Sequence, residues 1–172
     1  MSQKIVHIFS VPFTGFGSKG GFRGDRWLKE RIRIFKNFVI PSLVAQTKKE
    51  FIIWCQFRPE EETNPQIIEL WQSMNGVRGL SPIFTFHGPC LYDDKYPDEI
   101  ARKRLLESLT LSLPEIAPAL AEAKWVYLTC QPSDDLYSSD AVRELQAVPS
   151  QKNLALLWKK GYICNYATKE IA

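Results

Sequence analysis

The sequence lacks several features that would place it in well-defined classes of protein. It has no apolar run approaching the roughly 18 residues needed to span a bilayer, no internal repeat and no low-complexity segment. Its N-terminus, MSQKIVHIFSVPF, lacks the small-residue cleavage site and the long hydrophobic region of a secretory signal. We therefore expect a cytosolic protein without a transmembrane segment.

Histidine, which commonly ligates zinc or acts as a catalytic base, is scarce. The two histidines are His7 and His87, and no G-x-S-x-G nucleophile elbow is present, so a catalytic triad has little support. The four cysteines include no C-x-x-C pair and have no histidine cluster near them, which argues against a zinc site. We expect reduced thiols, mostly in the core.

Charge and composition favour one ordinary globular domain, residues 1–172. The net charge of +3 is small, and the basic residues are interspersed with acidic ones, so we expect no nucleic-acid partner. A chain of 172 residues with 45% hydrophobic and 24% charged residues can bury a substantial core.

Strand-like and helix-like segments alternate along the chain, which predicts an α/β fold with a largely parallel sheet. Strands are predicted at 5–11, 51–57, 83–86 and 125–128, and helices at 25–44 with a kink at Pro41, 65–75, 97–113 and 141–148. Pro114–Pro118 is interpreted as a linker, and Leu154–Trp158 with Tyr162–Tyr166 as a closing hairpin. The run FIIWCQF suits a strand that is covered on both faces.

The stretch most suggestive of function is KWVYLTCQPSDDLYSSDAV, in which an apolar run is followed by two adjacent carboxylates, Asp134 and Asp135. Because ligands of open α/β sheets bind beyond the carboxyl ends of the strands, these carboxylates are well placed for a site. Two neighbouring carboxylates repel each other, and Mg²⁺ shared with substrate phosphates would offset that repulsion. The alternative is that Ser133, Asp134 or Asp135 caps the next helix.

Other segments allow both a binding and a structural interpretation. The glycine-rich stretch Phe13–Gly24 could cradle a phosphate, but it matches neither G-x-G-x-x-G nor a P-loop and could equally be a surface loop. Arg31 lies either on a solvated helix face or near a ligand in the crevice. Asp93 and Asp94 are turn residues or a second pair of ligands.

Three segments together resemble a known family. Arg31–Phe57 with its PSL-x-x-QT element, Tyr92–Leu105, and Tyr127–Val142 with SDD are similar to GT-A-type glycosyltransferases, and more narrowly to their rhamnosyltransferase-type members. The resemblance implies a three-layer Rossmann-like domain with helices on both faces of a mostly parallel sheet. It also implies transfer of a sugar from a nucleotide-diphospho-sugar to a glycan, lipid or protein acceptor.

The same resemblance implies a set of site residues. Asp134 and Asp135 would hold Mn²⁺ or Mg²⁺ against the donor diphosphate, although Pro132 stands where the family has its first acidic residue. Arg104 or Arg102 would match a basic donor-binding residue, and Ser10 and Val11 would face the base. The complete donor-binding set is Ser10, Val11, Arg31, Asp94, Arg102, Arg104 and Ser133. Catalytic residues are not identified.

Two further hypotheses come from other functional classes. Such enzymes normally continue well past this motif, so a chain ending at Ala172 could be a fragment, or could need a second copy to cover apolar surface. One alternative is therefore a catalytically silent nucleotide-binding or assembly module. The other is an unrelated Mg²⁺-dependent phosphotransfer or nuclease fold, which requires Asp93 and Asp94 to converge with Asp134 and Asp135.

Overall fold

The computed structural model describes residues 4–14, 24–88, 98–149, 155–156 and 168. It shows an α/β fold around a four-stranded sheet with the order β3-β2-β1-β4. The strands are β1 (Ile5–Val11), β2 (Phe51–Gln56), β3 (Pro82–Thr85) and β4 (Trp125–Cys130). The helices are α1 (Gly24–Ile34), α2 (Ile40–Val44), α3 (Pro65–Asn75), α4 (Asp98–Leu120) and α5 (Ala141–Ala147).

All neighbouring strands are parallel, as the strand–helix alternation predicts. Strand β1 lies in the middle, with Ser10 opposite Trp54 of β2 and Cys130 of β4. In chain order, β2 pairs with one side of β1 and β3 pairs with β2. The chain then crosses the sheet, and β4 pairs with the other side of β1. The strand order therefore reverses direction between β1 and β4, and the carboxyl ends of these two strands mark the topological switch point of the sheet.

One face of the sheet carries the main core, beneath α1, α2, α3 and α5. Phe9, Ile53 and Leu70 are completely buried there, and Phe35 and Val142 join them from the flanking helices. Asn64 starts α3 as its cap, since its side-chain oxygen accepts a hydrogen bond from the amide of Gln66 at 2.9 Å.

Helix α4 covers the opposite face and completes a three-layer, Rossmann-like arrangement. Ile116 of α4 packs with Ile8 of β1 and with Ile52 and Trp54 of β2. Helices thus lie on both faces of the sheet. All six residues of β2 are buried, which confirms that this strand is covered on both sides.

The apolar run of β4 predicts a buried strand, but its residues alternate between half-buried and exposed. Val126 is 44% exposed and Leu128 is 59% exposed. Within the part of the chain that the structure describes, β4 pairs only with β1 and forms an edge of the sheet. A run such as WVYL fits a central or an edge strand equally well, since its pattern does not reveal how many neighbours it has.

The predicted kink at Pro41 takes the form of a π-helical segment, Phe35–Val39, between α1 and α2. The amide of Ile40 bonds to the carbonyl of Phe35, five residues back. Because a proline ring collides with the carbonyl four residues before it in an α-helix, the wider turn lets the helix continue past Pro41.

The prediction of a linker at Pro114–Pro118 is wrong, because α4 continues through both prolines to Leu120. Ser108, Ser112 and Ile116, spaced four residues apart, are buried against the sheet, whereas both prolines are exposed. Packing along this stripe maintains the helix despite the two missing amide donors.

Several predictions fall on residues outside the described ranges. These are most of the glycine-rich stretch, Cys90, Cys164 and, apart from residues 155–156, the predicted hairpin. Cys55 and Cys130 are free thiols, the first buried and the second exposed. Among the described residues, no helix combines the length and apolar character needed to cross a membrane.

Candidate functional site

The pairing of β1 with β4 brings the predicted acidic turn beside the end of the first strand. The amide of Gln131 donates to the carbonyl of Ser10 at 2.8 Å, directly after β4 ends. Ser10 and the SDD turn therefore share one edge of the sheet, at the position where open α/β folds bind ligands.

The buried side chain of Gln131 stabilises the backbone of the SDD turn through hydrogen bonds. Gln131 is completely buried, and its Nε2 donates to the carbonyls of Pro132 and Asp135, each at 2.7 Å. The amide of Asp135 also bonds to the carbonyl of Pro132 at 3.2 Å, and Ser133 is buried. Because α5 begins only at Ala141, the interpretation of these residues as caps of the next helix is wrong.

Arg31 of α1 forms an ion pair with Asp134, through its Nη1 and the carboxylate Oδ2. The Arg31 side chain is 19% exposed and that of Asp134 is 47% exposed. The guanidinium also lies over the ring of Trp27, 5.3 Å from the ring centroid, in a cation–π contact. The structure thus joins two residues of the predicted set whose direct contact no sequence pattern indicated.

The carboxylate pair has unequal electrostatic surroundings. Burial and the neighbouring charge of Asp134 raise the pKa of Asp135, and Arg31 partly offsets this rise. Burial, Asp135 and Cys130 together raise the pKa of Tyr137 to about 12. The guanidinium of Arg31 is therefore the positive charge that balances this acidic turn.

Two buried glutamines lie on either side of Ser10 at the ends of neighbouring strands. Gln56, the last residue of β2, donates from Nε2 to the Ser10 hydroxyl at 2.5 Å. Among the described residues, neither the Oε1 of Gln56 nor the Oε1 of Gln131 has a hydrogen-bond partner. Buried carbonyl oxygens normally accept a hydrogen bond, so each of these two is an unsatisfied acceptor beneath the end of its strand.

Sequence analysis missed both glutamines, although a signal was present. Each follows a cysteine at the end of an apolar run, as CQ in FIIWCQ and in YLTCQ. A large amide at that position in a buried strand requires hydrogen-bond partners, and the carboxyl edge of the sheet is where a ligand could supply them. We call Ser10, Arg31, Gln56, Gln131, Asp134 and Asp135 the switch-point site.

The PSL-x-x-QT element supports the loop that follows the SDD turn. Gln46 Nε2 donates to the carbonyl of Ser138 at 2.7 Å, and its Oε1 accepts from the amide of Val142 at 3.1 Å. Thr47 donates from its amide to the Ser139 carbonyl at 2.7 Å. The two sequence elements that carried the family resemblance are therefore in direct contact.

A second polar cluster lies beside the site, at the start of the loop that follows β1. The Thr14 hydroxyl donates to the Glu61 carboxylate, which also pairs with the Nη2 of Arg58 at 3.1 Å. Thr14 is buried, and its amide bonds to the carbonyl of Gln56 at 3.3 Å. This cluster attaches the beginning of the loop to the end of β2.

The remaining predicted donor residues are spread more widely. The side chain of Val11 is completely buried in the core, so only its backbone could reach a ligand. Arg102 is exposed and Arg104 half-buried on α4, across the sheet from α1. Asp94 lies outside the described residues, as does Asp93, so the convergence required by the nuclease hypothesis stays a prediction.

The residues of the acidic turn do not by themselves fit a resident divalent metal. Among the described residues, no three histidine, cysteine or acidic side chains come together as a metal site. Asp134 already pairs with Arg31, and Pro132 contributes no ligand. Mg²⁺ needs six oxygen ligands, and two adjacent carboxylates would leave most of them to a substrate or to water. The predicted Mn²⁺ or Mg²⁺ stays a prediction.

Comparison with known proteins gives no assignment. No protein-family model matches the sequence, and no curated protein matches it. The switch-point site is therefore the feature of this chain that points to a function.

Proposed function

We propose that this chain is the nucleotide-diphospho-sugar-binding domain of a glycosyltransferase, with the donor bound at the switch-point site. The observation that supports this proposal is the ion pair between Arg31 and the SDD turn, at the carboxyl ends of β1 and β4. The switch point of an open parallel sheet is the place where such folds bind nucleotides.

The chemistry of the site suits such a donor. A nucleotide-diphospho-sugar carries a diphosphate, which a guanidinium binds well because its planar array of N–H groups matches phosphate oxygens. It also carries ribose hydroxyls and base N–H groups, which could donate to the hydroxyl of Ser10, a half-buried residue at the end of β1. The site could therefore bind both the anionic diphosphate and the hydrogen-bond donors of the nucleotide.

Sugar transfer breaks the bond between the anomeric carbon and the diphosphate oxygen, while the oxygen of an acceptor hydroxyl forms a new bond to that carbon and the hydroxyl proton is released to solvent. Negative charge develops on the departing nucleoside diphosphate. A fixed positive group beside it would stabilise the transition state more than the ground state. In this proposal the acceptor is a glycan, lipid or protein hydroxyl.

A second candidate, a nucleotide-binding assembly module without catalytic activity, is favoured by the edge of the sheet. Val126 and Leu128 expose apolar surface on β4, and edge strands are sites of pairing with other chains. Nucleotide binding together with an absence of sugar transfer and of donor hydrolysis would support this module.

The proposal can be tested by thermal-shift titration with UDP-, GDP- and dTDP-sugars, each with Mn²⁺ and with a chelator. A donor that binds only the folded state at about 100 times its Kd should stabilise the chain by about 2.7 kcal/mol. We expect one nucleotide class to raise Tm, and hydrolysis of that donor to be detectable. No shift with any of the three nucleotides, with or without metal, would contradict the proposal.

A further inference from the structure

We infer that Arg31, and not a divalent metal held by the protein, provides the positive charge that binds the donor diphosphate. This inference rests on the proposed function and specifies how its site handles charge. It follows from the disagreement between the metal that the sequence resemblance implies and the residues present at the SDD turn.

The acidic turn already has its counter-charge. Asp134, the carboxylate that would be central to a metal site, forms an ion pair with the guanidinium of Arg31. A metal would have to share that carboxylate with the guanidinium and rely on Asp135 for a second side-chain ligand, because the Pro132 side chain cannot supply one. The ion pair therefore competes with metal binding at this turn.

Arg31 is held in place more firmly than a typical surface arginine. It lies on α1 between Leu28 and Ile32, and both of these residues are buried in the core. Its guanidinium lies over the Trp27 ring at 5.3 Å, and only 19% of its side chain is exposed. A cation positioned in this way loses little freedom when it binds an anion.

The guanidinium has binding capacity left after the contact with Asp134. It carries five N–H donors in a planar array, and its ion pair with Asp134 is made through Nη1. A diphosphate at the strand ends could accept from the remaining donors while Asp134 holds the group through Nη1. In this arrangement Asp134 is a positioning residue.

The substitution Asp134→Asn should have opposite effects on diphosphate binding, depending on whether a metal or Arg31 supplies the positive charge. If the carboxylate holds a metal, this substitution should abolish diphosphate binding. If it positions Arg31, the substitution removes a negative charge near the phosphates and leaves a side-chain oxygen that can still accept from the guanidinium. Diphosphate affinity should then be higher than in the wild type, because the charge that is removed repels the phosphates.

The test is isothermal titration calorimetry of the full chain with UDP, GDP and dTDP, each in EDTA and in Mn²⁺. We expect Kd values in EDTA and in Mn²⁺ to agree within about twofold, and Arg31→Gln to weaken binding by at least about tenfold, since a charged phosphate contact is lost. Arg33→Gln is the matched control: Arg33 lies on the same helix, is 47% exposed and pairs with Glu30, so binding should be unchanged.

A conservative variant covers the case in which Arg31→Gln fails to fold. Arg31→Lys keeps the charge but loses the planar array, and it should bind more weakly than the wild type while showing no new requirement for metal. Binding that needs Mn²⁺ and disappears in Asp134→Asn would overturn the inference and leave the proposed function intact. An absence of binding by all three diphosphates in both conditions would overturn both.

Discussion

The side-chain oxygen of Gln46 accepts a hydrogen bond from the amide of Val142, 96 residues further along the chain, at 3.1 Å. The amide nitrogen of Gln46 donates to the carbonyls of Ser42 and Ser138, at 3.1 Å and 2.7 Å. Gln46 is 1% exposed, so it links the end of α2 to the start of α5 inside the protein. The QT of the PSL-x-x-QT element thus stabilises the loop on which the SDD turn lies.

Replacement of Gln46 by leucine should lower the free energy of unfolding by about 1–3 kcal/mol, because backbone groups of Ser138 and Val142 lose their partner. The measurement is urea denaturation followed by circular dichroism. Gln72→Leu, at an exposed position on α3, is the matched control and should change stability by less than about 0.5 kcal/mol. Equal effects of the two substitutions would show that Gln46 does not support the loop.

The pKa of Asp135 should respond in opposite directions to substitutions at Asp134 and at Arg31. Because the charge of Asp134 raises the pKa of Asp135 and Arg31 lowers it, Asp134→Asn should lower the Asp135 pKa and Arg31→Gln should raise it. Carboxyl ¹³C NMR titration measures both changes. Asp25→Asn, at an exposed position near the start of α1, should leave this pKa unchanged. A shift of the same sign in both turn variants would contradict the arrangement.

His7 should make the fold sensitive to acid. It is fully buried, with its Nε2 2.7 Å from the Thr129 hydroxyl, and burial lowers its pKa from 6.5 to about 4. The unfolded chain therefore binds a proton at a higher pH than the folded one. The stability contributed by neutral His7 is complete above pH 6.5 and is lost as the pH falls toward 4.

The expected loss is about 3 kcal/mol over that interval. Urea denaturation at a series of pH values measures it. In His7→Gln the carboxylates still contribute, but this histidine component should be absent, so the decline between pH 6.5 and pH 4 should be smaller. The same decline in the variant and in the wild type would show that His7 is not the responsible group.

The two prolines inside α4 should lower the free energy of unfolding. Pro114 and Pro118 lie inside the helix at exposed positions, where proline is about 3 kcal/mol less favourable than alanine. Pro114→Ala and Pro118→Ala should each raise the free energy of unfolding, by about 1–3 kcal/mol, in denaturant titrations. Pro65→Ala is the matched control, because Pro65 occupies the first turn of α3 and should give no gain. A gain at Pro65 equal to that at Pro114 would contradict this account.

The order of elements could be predicted from the sequence because it depends on local patterns. The buried run of β2, the Asn64 cap and the stop of α3 at Asn75 all have signals within a few residues. The continuation of α4 through its prolines could not be predicted, because it depends on the burial of Ser112 and Ile116 against the sheet. Tertiary packing there overrides local propensity.

The site was predictable in part for the same reason. A carboxylate pair after an apolar run indicates a strand end, and the structure places Asp134 at such an end. Its pairing with Arg31 depends on how α1 and β4 are arranged around β1, which no local pattern encodes. The side-chain oxygens of Gln56 and Gln131, which have no hydrogen-bond partner among the described residues, likewise become apparent only when neighbouring strand ends are seen together.

The most direct test of the central claim is an amide NMR titration of the ¹⁵N-labelled chain with the nucleotide sugar that raises Tm. If the donor binds at the switch-point site, chemical-shift changes should concentrate at Ser10, Gln56 and the turn from Gln131 to Asp135, together with the Arg31 side chain. Changes confined to the cleft between α1 and α3, which Lys29, Arg33 and Glu69 help to line, would contradict the claim.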